Sequence, residues 1–104
     1  MIRKAFLMRL RPGQEDEYAK RHNPIWAELQ EVLKNHGVRN YSIFLERGSD
    51  RLFAYVEIES EHLWQQIAGT EECRRWWASM KELMYTNPDN SPLAIDLDEL
   101  FHID

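Results

Sequence analysis

Apolar and polar positions along the chain change their period several times, and each change marks an element. From Ile2 to Leu10 the pattern alternates, with Ile2, Phe6, Met8 and Leu10 on one face and Ala5 and Leu7 on the other. A period of two predicts a strand, and apolar groups on both faces predict that both are covered. Pro12-Gly13 ends it. From Gln14 to His36 the stripe Tyr18, His22, Ile25, Trp26, Leu29, Val32, Leu33 has helical spacing. Pro24 has no N–H to give to the carbonyl of Lys20, so the helix must bend or restart there. Asn23 suits an N-cap, with Pro24 at the first helical position. The expectation is a short helix, a break near Asn23, and a longer helix that Gly37 terminates.

Tyr41 to Glu46 returns to alternation, with Tyr41, Ile43 and Leu45 on one face. Gly48-Ser49-Asp50 makes a turn, and Leu52 to Ile58 supplies the second strand of a hairpin. Ser60 caps a helix bearing Leu63, Trp64, Ile67 and Ala68. After Gly69, Thr70 caps another, with Glu71 and Glu72 in its first turn, where they complement the helix dipole. That helix is expected to carry Cys73, Trp76, Trp77, Met80, Leu83 and Met84. Asn87-Pro88-Asp89-Asn90-Ser91-Pro92 reads as a rigid polar loop, and Ile95 to Phe101 as a weak, acidic last strand.

The order is βαββαβ, an α+β class with the ferredoxin-like split βαβ arrangement: an antiparallel sheet with helices on one face. The 104 residues suit one domain, 1–104. Because the strands are apolar on both faces, the bare side of the sheet needs a partner or a ligand, and a homodimer joining two sheets is the expected answer.

Charge and composition narrow the function. A net charge of -5 argues against nucleic acid and anionic membranes as partners. No apolar run approaches the roughly 18 residues that span a bilayer. Met1 to Arg9 is charged where a signal peptide is apolar. The single cysteine, Cys73, precludes an internal disulfide and fits a reducing, cytoplasmic setting.

Candidate chemistry concentrates in Tyr18-Ala19-Lys20-Arg21-His22-Asn23-Pro24-Ile25-Trp26. Four residues apart on a helix, Tyr18 and His22 share a face. Imidazole exchanges protons near neutrality, so His22 reads as a general acid/base; its structural alternative is a histidine bonded to a nearby carbonyl. Tyr18 either holds a ligand hydroxyl or buries its ring. Trp76 and Trp77 lie about 100° apart on a helix, so one joins the core and the other points to the rim, toward a cleft, a partner or solvent. An indole there suits the C–H face of a sugar. Tyr41 is either core or pocket wall. Arg74 and Arg75 read as a solvated face paired with Glu71, Glu72 and Glu82, and Cys73 as an inert core thiol. His22, His36, His62 and His102 form no HxxxH pair, so no metal is expected, and no phosphate loop or serine nucleophile elbow is present.

The chain resembles the L-rhamnose mutarotase family essentially from end to end. The resemblance is carried by Met1-Ile2-Arg3-Lys4-Ala5-Phe6, by Tyr18 with Arg21-His22-Asn23-Pro24-Ile25-Trp26, by Val56-Glu57-Ile58-Glu59-Ser60, by Cys73-Arg74-Arg75-Trp76-Trp77 and by Asn87 to Pro92. It implies a cofactor-free isomerase acting on the α and β anomers of L-rhamnose, and a homodimer in the form of a dimeric α+β barrel. By the resemblance, the proton donor falls on His22, and the sugar-binding positions fall on Tyr18, Tyr41, Trp76 and Trp77. The group complementary to His22 stays open: a tyrosine, a backbone carbonyl freed at Pro24, or water. Two rival readings use the same residues. One is a cofactor-free or haem-degrading oxygenase using Asn23, His22 and Trp76; the other is a sugar-binding module without catalysis.

Overall fold

A computed structural model describes all 104 residues. The elements are β1 (Ile2–Arg9), α1 (Glu15–Arg21), α2 (Ala27–Asn35), β2 (Val38–Glu46), β3 (Arg51–Ile58), α3 (Glu61–Ile67), α4 (Glu71–Met80) and β4 (Ile95–Leu97). The four strands form one antiparallel sheet in the order β2-β3-β1-β4, the split βαβ order expected from the sequence.

Alternation decides which face is covered. Leu52, Ala54, Val56 and Ile58 of β3 are all buried, and so are Phe6 and Met8 of β1. They pack against Tyr18, Leu29, Ile67, Cys73, Trp76 and Met80 from the helices. Full burial of a side chain such as Ile58 contributes roughly 1.5–3 kcal/mol, so this face supplies most of the hydrophobic driving force. On the opposite face Phe44 and Phe53 are cross-strand partners, and Phe44 is 63% exposed. Both short helices after β3 start as expected. Ser60 Oγ accepts from the Leu63 N–H at 3.1 Å, and Thr70 Oγ1 accepts from the Cys73 N–H at 3.3 Å.

Four boundaries differ from the sequence expectation. β2 begins at Val38, not Tyr41, because Val38 and Arg39 already pair with Ile58 and Glu57 of β3. The second helix begins at Ala27 with Trp26 at its N-cap, not at Pro24 with Asn23 as cap. The reason is chemical: the Asn23 amide donates to the Ala19 carbonyl at 2.7 Å and so closes the end of α1 instead of opening α2. α4 ends at Met80, leaving Leu83 and Met84 beyond the helix. There the Leu83 carbonyl accepts from Arg11 N–H and Tyr85 N–H donates to Arg9, which draws the chain onto the end of β1. β4 spans Ile95–Leu97 only, paired with Ala5 to Leu7; the acidic residues after it lie outside the sheet.

Gly37 joins α2 to β2 with φ +80°, a left-handed backbone that favours glycine. A Cβ there would fall 2.7–2.9 Å from atoms of the Glu59 side chain, whose backbone N–H donates to the Gly37 carbonyl. Gly13 has nearly the same φ, +81°, but open space at that position. Gly13→Ala is expected to lose only the conformational cost, ~1 kcal/mol, and Gly37→Ala roughly 2–3 kcal/mol once the clash is added. Urea unfolding of both variants checks this; equal losses would show that the Glu59 contact adds nothing.

Candidate functional site

The helix layer does not close onto the whole inner face of the sheet. Between them lies a mostly apolar cavity of about 1000 Å³. All five site residues expected from the sequence border it: Tyr18 and His22 from the end of α1, Tyr41 from β2, and Trp76 and Trp77 from α4. Trp76 is buried and Trp77 half-buried, the division that a 100° step between neighbouring helical positions predicts.

His22 is held by the way α1 ends. The last carbonyls of a helix have no intrahelical donor and need one from elsewhere. Here His22 Nδ1–H donates to the Tyr18 carbonyl at 2.8 Å, while Asn23 Nδ2 serves Ala19. The backbone N–H of Asn23 serves Lys20 at 3.3 Å. Three of the last four carbonyls of α1, those of Tyr18, Ala19 and Lys20, thus have donors. Because a carbonyl can only accept, the bond fixes the proton of the neutral ring on Nδ1 and leaves Nε2 with a free lone pair. The ring lies 4.3 Å from the Tyr18 ring and stands edge-on to Trp76, centroids 5.1 Å apart and planes at 90°. Burial between these rings lowers the His22 pKa below the ordinary 6.5, opposed in part by the Tyr18 carbonyl, which favours the charged form.

Two phenols face the same space. Neither Tyr18 nor Tyr41 hydrogen-bonds through its hydroxyl to another protein group, and no buried side-chain polar atom in the protein lacks a partner. The Tyr18 hydroxyl therefore meets open space, and both tyrosines line the cavity. Desolvation raises both pKa values, at the buried Tyr18 and also at Tyr41, which is 36% exposed, so both phenols stay protonated throughout the physiological range and act as neutral donors and acceptors.

A second aromatic group escaped the sequence reading. Tyr41, Phe6 and Trp64 form a triangle with centroids 6.1–6.5 Å apart, and all three line the cavity. In the sequence Trp64 is one of the apolar residues of the helix capped by Ser60, and helical spacing carries no sign of which cavity it borders. Cys73 is buried as expected, with its thiol pushed up to about 11 by burial, which makes it a poor nucleophile. Arg74 and Arg75 differ from expectation: they are solvated or half-exposed but form no ion pair with the neighbouring glutamates, and Arg75 instead lies 6.0 Å from the Trp26 ring. No three His, Cys, Asp or Glu side chains converge as metal ligands, and no helix is long and apolar enough to cross a membrane.

Comparison with known proteins agrees along the full length. The sequence profile of the L-rhamnose mutarotase family matches residues 3–103. An L-rhamnose mutarotase of Opitutus terrae is 59% identical over 104 residues, covering all of both chains. That of Pectobacterium atrosepticum is 56% identical with the same coverage. Among solved structures, an L-rhamnose mutarotase from Formosa agariphila superimposes with a TM-score of 0.92 at 38% identity, again covering both chains completely. A putative antibiotic biosynthesis monooxygenase from Nitrosomonas europaea shares the fold at a TM-score of 0.65 and 9% identity, over 97% of this chain and all of its own. At that identity the likeness is one of fold alone.

The geometry at His22 gives a direct expectation. Long-range ¹H–¹⁵N correlation spectra should show His22 as the Nδ1–H tautomer at neutral pH, titrating below 6.5. A ring protonated on Nε2 in the neutral form would contradict the carbonyl bond.

Proposed function

The chain belongs to the L-rhamnose mutarotase family, and we propose that His22 carries the ring-oxygen proton while the enzyme opens and recloses the sugar. The protein is an isomerase that interconverts the α and β anomers of L-rhamnose. The observation that supports His22 most directly is its fixed tautomer: with Nδ1 committed to the Tyr18 carbonyl, only Nε2 is available to exchange a proton.

The chemistry explains why one fixed group suffices at the ring oxygen. In the two anomers the ring oxygen keeps its place, while the anomeric hydroxyl changes sides. Protonated His22 gives the Nε2 proton to the ring oxygen as the bond from C1 to that oxygen breaks, and water takes the proton from the anomeric hydroxyl. The aldehyde turns about its bond to C2 and offers its other face. The released hydroxyl attacks, Nε2 recovers the proton, and water returns one to the new anomeric oxygen. Tyr18 and Tyr41 do not serve as the base, because desolvation keeps both phenols protonated; they hold sugar hydroxyls. The indoles of Trp76 and Trp77 cover the apolar face and the 6-methyl group. Aldoses already mutarotate in water, so general acid/base help of about 10²–10⁴-fold accounts for much of the required acceleration.

The outer face of the sheet supports a homodimer. Phe44, Ile95 and Leu97 are exposed there, with Leu100, Phe101 and Ile103 beside them in the chain that follows β4. A second copy placing its sheet on this one covers apolar surface that a lone domain leaves in water. Residues 1–104 act as a single mutarotase domain, and its lone, unreactive thiol is at home in the cytoplasm.

Selective-inversion NMR on equilibrated L-rhamnose measures exchange between the anomers. Added protein should accelerate it, and His22→Ala should lower the enzymatic part about 100-fold or more. No acceleration by the unaltered protein overturns the catalytic reading and leaves a sugar-binding module. Because the acid form of His22 gives the proton, the rate should climb as pH falls from 8, then level off below the depressed His22 pKa. A rate that climbs with pH would make His22 a base at the anomeric hydroxyl. For the dimer, sedimentation should give twice the chain mass for the native protein, and a shift toward the monomer for Phe44→Asp. An unshifted native monomer at micromolar concentration would refute the sheet-to-sheet assembly.

A further inference from the structure

Tyr41 reaches the cavity only because β2 is irregular just before it. Val38 pairs with Ile58 and is buried on the inner face, and Arg39 pairs with Glu57 facing outward. Strict alternation would then turn Asn40 inward, opposite Val56, and Tyr41 outward, opposite Tyr55. Instead Tyr55 pairs with Ser42, and Ala54 with Ile43. Asn40 and Tyr41 together oppose Val56, so the strand carries one extra residue, a bulge, and every later side chain changes face. Tyr41, Ile43 and Leu45 thereby share the inner side, where the Tyr41 ring meets Phe6 and Trp64.

Asn40 makes the bulge. Its φ of +50° is left-handed, a conformation that asparagine tolerates better than most residues. Its side chain is anchored across the sheet: Nδ2 donates to Glu57 Oε1 at 2.9 Å, and Glu57 Oε2 accepts from the Tyr55 hydroxyl at 2.8 Å. Both oxygens of Glu57 are thus engaged, and these two bonds hold its carboxyl below the usual range. Glu57 and Tyr55 lie on the face opposite the cavity, whose edge Asn40 itself borders, and their hold on Asn40 sets which way the next residue points.

We propose that Asn40, clamped by Glu57 and Tyr55, is a positioning residue that aims the Tyr41 hydroxyl into the sugar-binding cavity. The proposal rests on the reading of Tyr41 as a sugar contact, and that reading has its own control. Asn40→Ala should raise KM for anomer exchange about 10-fold, the scale of one lost hydrogen bond, with the midpoint of the pH profile unchanged because His22 is untouched. It should also remove the ring-to-ring nuclear Overhauser contacts between Tyr41 and Trp64. Asn40→Asp sets a carboxylate against Glu57 and should behave the same way. Combining Asn40→Asp with Glu57→Gln reverses donor and acceptor, lets the Gln amide serve Asp while its carbonyl still accepts from Tyr55, and should restore both the contacts and KM. Should Asn40→Ala not fold, Asn40→Gly keeps the left-handed backbone without the clamp and should show an intermediate KM. Retained Tyr41–Trp64 contacts with a normal KM in Asn40→Ala, or in Asn40→Gly if it replaces it, would overturn the proposal. A normal KM in Tyr41→Phe would instead overturn the reading of Tyr41 as a sugar contact, even where the Asn40 variants lose the ring contacts.

Discussion

The site depends on the hydrogen bond from His22 Nδ1 to the carbonyl of Tyr18. A helix that stops must find donors for its last carbonyls, and α1 stops beside the cavity. The chain meets that need with side chains, His22 for Tyr18 and Asn23 for Ala19. The same bond that completes the helix fixes the imidazole tautomer, stacks the ring near Tyr18 and leaves a single nitrogen free. Structural demand and the proposed chemical role are here one contact. Burial then adjusts the strength of the acid: a half-buried imidazolium gives up its proton more readily than an exposed one.

The cavity reflects a second constraint, the two faces of one sheet. On β3 every alternate residue is buried, and that row forms the floor on which the helices rest. Aromatic side chains keep the remaining space open. Their rings pack edge-on, as in the pairs of Trp76 with His22 and with Trp26, at centroid distances of 5.1 Å. Edge-to-face contacts hold flat rings in place without filling the volume between them. The result is an apolar wall carrying two neutral phenols and one titratable ring, while the charged residues Glu15, Asp16, Lys34, Arg39 and Arg47 also border the cavity. The aromatic part of that wall suits a hydroxyl-bearing ligand with one apolar face.

Much of this was legible in the sequence. Strand alternation, the hairpin turn and the Ser60 and Thr70 caps are local effects, and the structure follows them. The four-strand order was inferred from the succession of elements, and it holds. What misled was also local in form: Asn23 before Pro24 has the composition of an N-cap, but its amide is equally a donor for the helix behind it. The sequence pattern likewise ran α4 on through Leu83 and Met84, because both continue its apolar stripe; hydrogen bonds to the distant β1 decide otherwise. The expected pairing of Arg74 and Arg75 with nearby glutamates failed for the opposite reason. Helical spacing permits such pairs, but exposed long side chains gain little by holding them.

The amino-acid sequence by itself determined the order and type of the elements, the inner and outer faces of β1 and β3, the break between α1 and α2, and the family to which the chain belongs. These depend on periodicity, on backbone chemistry at Pro and Gly, and on residues close together in the chain. Only the tertiary structure decided what those residues face. It gathered Tyr18, His22, Tyr41, Trp76 and Trp77 around one cavity and added Trp64 to its wall. It also placed a bulge at Asn40 that turns Tyr41 inward, through a bond to a residue 17 positions away. Register across a sheet is a property of two strands together, so neither strand's own pattern contains it.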